Sequence, residues 1–193
     1  RETEVRDQGW RHARWQAVAQ RLRLPRLAKK IVTVTGTNGK VSTCALLASL
    51  VAGQGLSVGV YSSPHLLRYN ERVRINAEEV SDTQLCAAFT AVEEARAEVS
   101  LTYFEMGTLA AFWLFAQSSL DVVILEVGLG GRLDAVNIVD ADVAVVTSIG
   151  IDHKDWLGDT RDSVAYEKAG IFRPELPAVC GDIDPPEQLL TRA

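Results

Sequence analysis

Ile31-Val-Thr-Val-Thr35 runs without a break into Gly36-Thr-Asn-Gly39 and then into Lys40-Val-Ser-Thr43. The first five residues are β-branched, which suits a buried strand better than a helix. The two glycines make a turn. From about Val41 to Ala52 the pattern predicts a helix, with Ala45, Leu46, Leu47, Leu50 and Val51 available to pack and Gly53 and Gly55 ending it. Ser57 to Tyr61 predicts a second strand. Strand, turn, helix and strand in that order form a βαβ unit, with a right-handed crossover and parallel strands.

A glycine turn between a strand and a helix can aim backbone N–H groups at phosphate oxygens, and the helix start adds partial positive charge. Lys40 is placed to neutralise the outer phosphates of a nucleotide. The common pattern G-x-x-x-x-G-K-[ST] is not met, because Val34 takes its first glycine and Val41 its hydroxyl position. Read alone, Gly36 and Gly39 could equally be an ordinary turn.

Further along, Arg72-Val-Arg-Ile75 alternates polar and apolar, as a half-exposed hairpin arm does. Ser81 and Gln84 make a capping box for a helix to about Glu98. Gly107 to Ser118 predicts a buried helix, and Val122–Leu125 and Val143–Val146 predict strands covered on both faces. Arg161–Ala169 predicts a helix closing at Gly170, and Ala178–Cys180 a last strand. The fold class expected is α/β, a doubly wound and mostly parallel sheet with a small β-hairpin excursion. Residues 1–30 are expected as a leading helix and linker and 31–181 as the α/β core of a single domain. Ligands of such sheets bind beyond the carboxyl ends of the strands. Gly39 and Lys40, Ser63 and His65, Glu126, and Asp152 with His153 all fall at those ends.

Composition narrows the choices. With 47% hydrophobic and 23% charged residues the chain is not of the disordered class. Its longest strongly apolar stretch, Leu109–Ala116, is too short to cross a bilayer, and no signal peptide opens it, so a cytoplasmic location is expected. The start at Arg1 rather than Met implies a trimmed beginning. Cys44, Cys86 and Cys180 have no C-x-x-C spacing and are expected as reduced core thiols. Residues 1–30 carry a net +6 within an overall −5. A basic surface for nucleic acid or lipid is one reading. The outer face of an amphipathic helix that buries Trp10, Ala13, Ala17, Val18 and Leu22 is the simpler one.

Several motifs together carry a resemblance. They are Gly36-Thr-Asn-Gly-Lys40, Ser62-Ser-Pro-His-Leu66, Tyr69-Asn-Glu-Arg-Val73, Thr102-Tyr-Phe-Glu105, Glu126-Val-Gly-Leu-Gly-Gly-Arg-Leu-Asp-Ala135, Asp152-His153 and Glu167-Lys-Ala-Gly-Ile171. In order and spacing the chain resembles folylpolyglutamate/dihydrofolate synthases of the Mur ligase superfamily. The resemblance implies an ATP-dependent ligase that joins L-glutamate to dihydropteroate or a folate through an acyl phosphate. Gly36, Thr37, Asn38, Gly39, Lys40, Val41 and Ser42 would hold ATP; Ser42, Ser63, Glu126 and His153 would hold Mg²⁺. Lys40, His153 and Lys168 would be catalytic, Lys168 as a carbamate placing a second Mg²⁺. Phe104, Arg132 and Asp134 would line the pterin or folate pocket. The family usually has glycine where Val41 stands, and Ser42 would then supply the hydroxyl.

The resemblance further implies small-molecule partners only, a monomer, and a second α/β domain that these 193 residues lack. Glutamate binding relies mainly on that domain, so nucleotide binding with poor turnover is expected of this chain. Two other readings stay open: a non-catalytic nucleotide-binding fragment, and a phosphotransferase with another acceptor. Gly128-Leu-Gly-Gly-Arg132 has the wrong spacing for a dinucleotide fingerprint.

Overall fold

A computed structural model describes residues 14–192. A helix over residues 14–21 (α1) precedes β1 (Ala28–Thr35), α2 (Lys40–Gly53) and β2 (Val58–Tyr61). Then come the short arms β3 (Val73–Ile75) and β4 (Glu78–Glu79), the helices α3 (Asp82–Arg96) and α4 (Tyr103–Ala116), β5 (Leu120–Glu126) and β6 (Val143–Val146). The chain ends with α5 (Lys154–Leu157), α6 (Arg161–Ala169), β7 (Ala178–Cys180) and α7 (Glu187–Leu190). All seven strands join one sheet in the order β4-β3-β2-β5-β1-β6-β7. The strands β2, β5, β1, β6 and β7 run parallel, and β3 and β4 add the antiparallel hairpin at one edge. This is the doubly wound, mostly parallel α/β sheet that the βαβ opening implied.

The alternation of side chains along β5 sorts the helices into two layers. Val123 and Leu125 join the larger core with α1, α3 and α4, where Trp15, Val18, Phe112 and Phe115 are buried. Val122 and Ile124 point the other way, to Cys44, Leu47, Ala48 and Val51 of α2. A third cluster packs Val146 of β6 against Val164, Ala165 and Ala169 of α6.

Some expectations shift. On α2 the inward face is Cys44, Leu47, Ala48 and Val51, whereas Leu46 and Leu50 are 66% and 67% exposed. The sequence run was apolar on too many sides for its pattern to choose a face. Only Cys44 is a core thiol; Cys86 and Cys180 are exposed. In α1, Val18 is buried and Ala17 half-buried, Leu22 just after it is half-buried too, Trp15 is an unforeseen core residue, and Trp10 and Ala13 lie outside the described residues. No helix among the described residues is long and apolar enough to cross a membrane.

The most consequential shift is the start of α4, one turn before Gly107. Thr102 and Glu105 form a second capping box: the Glu105 amide donates to Thr102 Oγ1 (3.2 Å) and the Thr102 amide to Glu105 Oε2 (2.7 Å). That box puts Tyr103 and Phe104 in the first turn of a fixed helix rather than in a loop. Replacing Thr102 by alanine should cost about 1 kcal/mol, read as a lower urea midpoint at unchanged m-value. An unchanged midpoint would show that the cap does not hold this turn.

Candidate active site

The parallel register brings four strand ends level. Thr35 pairs with Val146, Val34 with Glu126, and Tyr61 with Leu125, so the segments after β1, β2, β5 and β6 leave the sheet side by side. The segment after β6 grips the phosphate loop. Thr37 N donates to Ser148 O (2.9 Å), Asn38 N to Ser148 Oγ (3.1 Å), and Thr147 Oγ1 to Asn38 O (2.7 Å). Thr37 Oγ1 also accepts from Gly150 N (2.9 Å). Gly36 is required here: it has φ +149°, and a Cβ would fall 1.8 Å from Thr147 Oγ1.

These contacts narrow the expected cradle. The amides of Thr37 and Asn38 are already engaged, while no side chain caps α2, whose N-cap is Gly39 with φ 81°. The amides of Lys40, Val41 and Ser42 are thus the open donors of the helix start. Val41 lies in the first turn of the helix and is 53% exposed. Lys40 Nζ donates to Gly36 O (3.0 Å), which folds its ammonium back over the turn.

Glu126, the last residue of β5, is 1% exposed. Its Oε2 accepts from the Ser63 amide (3.1 Å), next to the cis Ser63–Pro64 bond. Burial pushes its carboxyl above the usual range, against the opposing pull of the Ser63 bond and the Lys40 charge. Two further expected residues meet the loop at a small cavity of about 20 Å³, where Lys40, His153 and Lys168 share walls with Gly36 and Thr37. Asp152 lies there too, beside His153. Lys168 is 4% exposed, and its pKa is lowered to about 8, first by burial and then by the Lys40 charge. Ser42 stands exposed on the first turn of α2.

The glycine-rich turn after β5 forms a neighbouring cavity of about 270 Å³. Phe104 and Asp134 line it, with Trp15, Thr102 and Trp156. Phe104 packs against Gly128 so closely that a Cβ there would meet its ring at 2.6 Å. Asp134 accepts from the amides of Leu129 (2.9 Å) and Val136 (3.0 Å), and burial raises its pKa to about 6. Arg132 does not face this cavity. It pairs with Glu167 (2.8 Å) and stacks on Tyr166, tying the turn to α6 beside Lys168. A bigger cavity, about 780 Å³, opens near Ile31 and Asp142, toward the starts of β1 and β6, and includes none of these residues.

Sequence reasoning passed over the residues that brace the site. Glu71 accepts from the amides of Leu66, Leu67 and Arg68 (2.6 to 2.8 Å), which lower its pKa to about 2 and hold the loop after Ser63. Thr35 Oγ1 donates to Gly130 O (2.6 Å), joining the phosphate loop to the glycine turn. Glu71 lies inside a quoted motif, but no spacing rule gives it that partner set.

Residues 34–180 match the Mur ligase middle domain. The chain belongs to this family. An Escherichia coli K12 relative, a dihydrofolate synthase/folylpolyglutamate synthase, is 59% identical over 89% of this chain and 41% of its own length. The structure of E. coli FolC in complex with DHPP and ADP superposes with a TM-score of 0.92 at 57% identity, covering 93% of this chain and 44% of that one. A bifunctional folylpolyglutamate synthase/dihydrofolate synthase with Mn, AMPPNP and L-glutamate bound gives 0.90 at 57% identity, over 94% and 45%. The chain therefore spans about two-fifths of the length of the curated relatives it matches.

The Mur ligase middle domain seen here buries Lys168 with no carboxylate bonded to it among the described residues, and this has a measurable consequence. A lysine whose folded pKa lies below its unfolded 10.5 weakens the fold while both states are protonated. Stability should therefore rise as pH climbs from about 8 to 10.5. The Lys168→Met chain should lack that rise and be more stable at pH 7, by up to roughly 3 kcal/mol. Parallel pH–stability curves for the two chains would contradict the buried amine.

Proposed function

We propose that this chain is the nucleotide-binding part of an ATP-dependent ligase that forms an amide between L-glutamate and dihydropteroate or a folate. The observation that carries the reading is the meeting of the open helix start at Lys40–Ser42, the buried Glu126 and the Lys40–His153–Lys168 cavity at one sheet edge. The 270 Å³ cavity with its Phe104 face adds a place for a flat heterocycle next to that edge. The E. coli relative, bound to ADP and DHPP, supports the same assignment.

Chemistry follows from the carboxylate's poor leaving group. Its oxygen takes the γ-phosphoryl of ATP and releases ADP, giving an acyl phosphate. The amine of glutamate then adds to the acyl carbon, expels inorganic phosphate and loses a proton to leave an amide. Lys40 and the helix-start amides would stabilise the charge of the transferred group. His153 and Lys168 border the same space.

Among the described residues no three His, Cys, Asp or Glu side chains form a metal cage. Mg²⁺ does not need one: it takes one or two protein carboxylates and completes its shell with phosphate and water. Glu126 fits that role, because its Oε1 takes no hydrogen bond among the described residues. Ser42, Ser63 and His153 are the proposed companions, and the ion would neutralise phosphate charge as it shifts in transfer. Arg132, held by Glu167, fits a bracing role better than direct substrate contact. Lys168, with a pKa of about 8, keeps a fraction of neutral amine near pH 7, which carbamylation requires.

Equilibrium titration should show ATP·Mg²⁺ binding to this chain, lost on Lys40→Ala. Retained affinity in that variant would remove the proposed cradle. In the longer parent protein, phosphate release should require both dihydropteroate and glutamate; a phosphorylated acceptor formed without glutamate would point to a phosphotransferase instead. There, Lys168→Ala should abolish turnover and short carboxylic acids should restore it, whereas full activity without rescue would dismiss the carbamate.

A further inference from the structure

Arg72 is the one buried arginine among the described residues, 8% exposed. The half-buried arginines answer to acids: Arg96 to Glu93, Arg132 to Glu167, Arg161 to Asp182, and Arg173 to Asp140. Arg72 has none. Its Nε donates to His65 Nδ1 (2.8 Å), and its guanidinium carbon lies 5.3 Å from the Tyr69 ring centre and 5.4 Å from that of Tyr103. His65 in turn packs on Tyr69 at 5.7 Å. The four N–H bonds of the two terminal nitrogens meet no acceptor among the described residues. A guanidinium held this way is a pre-set fork for a planar anion, and carboxylate matches its geometry.

Its place in the fold says which carboxylate. The Arg72 carbonyl accepts from the Ser62 amide (3.0 Å), one residue from Ser63, whose amide holds Glu126. On the other side Tyr103 adjoins Phe104, which lines the 270 Å³ cavity. The Tyr61 hydroxyl, raised above its usual range mainly by burial, also feels the charges of both Arg72 and Asp134. The Arg72 backbone thus adjoins the segment that carries Ser63, and its guanidinium lies beside the first turn of α4, where Phe104 follows Tyr103.

Dihydropteroate has one carboxylate, the one that reacts. A pteroylglutamate has two, and whichever receives the phosphoryl group leaves the other as an anion close by. Desolvating that anion without a partner is costly. We propose that Arg72, seated by His65 between Tyr69 and Tyr103, receives this second, unreacting carboxylate and so selects acceptors that already carry glutamate. The inference rests on the function proposed above and adds a specificity residue to it.

Titration of the 193-residue chain by tryptophan fluorescence tests it, using pteroate, pteroylglutamate, and pteroylglutamates with one or the other carboxylate converted to a carboxamide. The wild-type chain should bind pteroylglutamate roughly tenfold more tightly than one of the two carboxamides. Arg72→Met should reduce that preference to about twofold or less, and Arg72→Lys should give an intermediate value. Affinity for pteroate and ATP·Mg²⁺ should not change. A wild-type chain indifferent to both amide replacements overturns the proposal, and this arm needs no variant to fold. An unaltered preference in Arg72→Lys and Arg72→Met would make the guanidinium a brace for its loop. Weakened ATP·Mg²⁺ binding in either variant would reassign it to the nucleotide. Failure of the wild-type chain to bind pteroate or ATP·Mg²⁺ at all would instead strike at the underlying ligase reading.

Discussion

Strand β5 is paired on both sides by parallel neighbours, β1 and β2, and this shared register fixes the carboxylate of Glu126 at the centre of the sheet's carboxyl edge. A buried acid is expensive unless it is bonded or faced by a cation. Here the Ser63 amide supplies the bond and Lys40 the charge, so the acid ties the loop after β2 to the loop after β1. Shifting one strand by a residue would turn Glu126 into the apolar layer and break both relations at once. The site thus inherits its geometry from backbone pairing, and its side chains need only short reach.

Few side chains hold the loops together from outside. Ser148 and Thr147 bind the phosphate loop through its own backbone, Thr35 binds the glycine turn at Gly130, and Arg132 fastens that turn to α6. These are mostly bonds to main-chain atoms, which fix loop shape without adding charge. The result leaves the amides of Lys40, Val41 and Ser42 uncovered while their neighbours are spoken for. Preorganisation of this kind favours an anion, because the donors need not rearrange when it arrives.

The sequence revealed what repeats along a line and hid what meets across space. β-branched runs gave β1, β5 and β6 within a few residues, and the Ser81–Gln84 box gave the start of α3. The matching Thr102–Glu105 box was equally legible, yet the apolar run from Gly107 drew the boundary inward. For α2 the apolar residues surround the helix, so no periodicity could say that Leu46 and Leu50 face out. Lys40, Glu126, His153 and Lys168 were legible as separate strand-end or motif residues; their nearness depends on the order β2-β5-β1-β6, which no local pattern contains. Arg132 shows how a distant partner can complicate a local reading. A polar residue in a glycine-rich turn reads naturally as a ligand contact, while Glu167, thirty-five positions on, holds its Nε and Nη2.

Charge balance around the edge connects these observations. Lys40, Lys168 and Arg72 bring three cations into or beside the site, and none is paired with an acid by a salt bridge among the described residues. Opposing them are Glu126, Asp134 and Asp152, the first two of which burial pushes toward the neutral acid. Burial therefore weakens the negative charge that faces these cations, within a chain whose net charge is −5. Burial, and after it the Lys40 charge, makes the Lys168 ammonium costly in the empty fold, and a polyanion that enters relieves it. Binding of nucleotide and stability of the empty fold are then linked through Lys40 and Lys168, and removing the buried Lys168 charge should stabilise the empty fold.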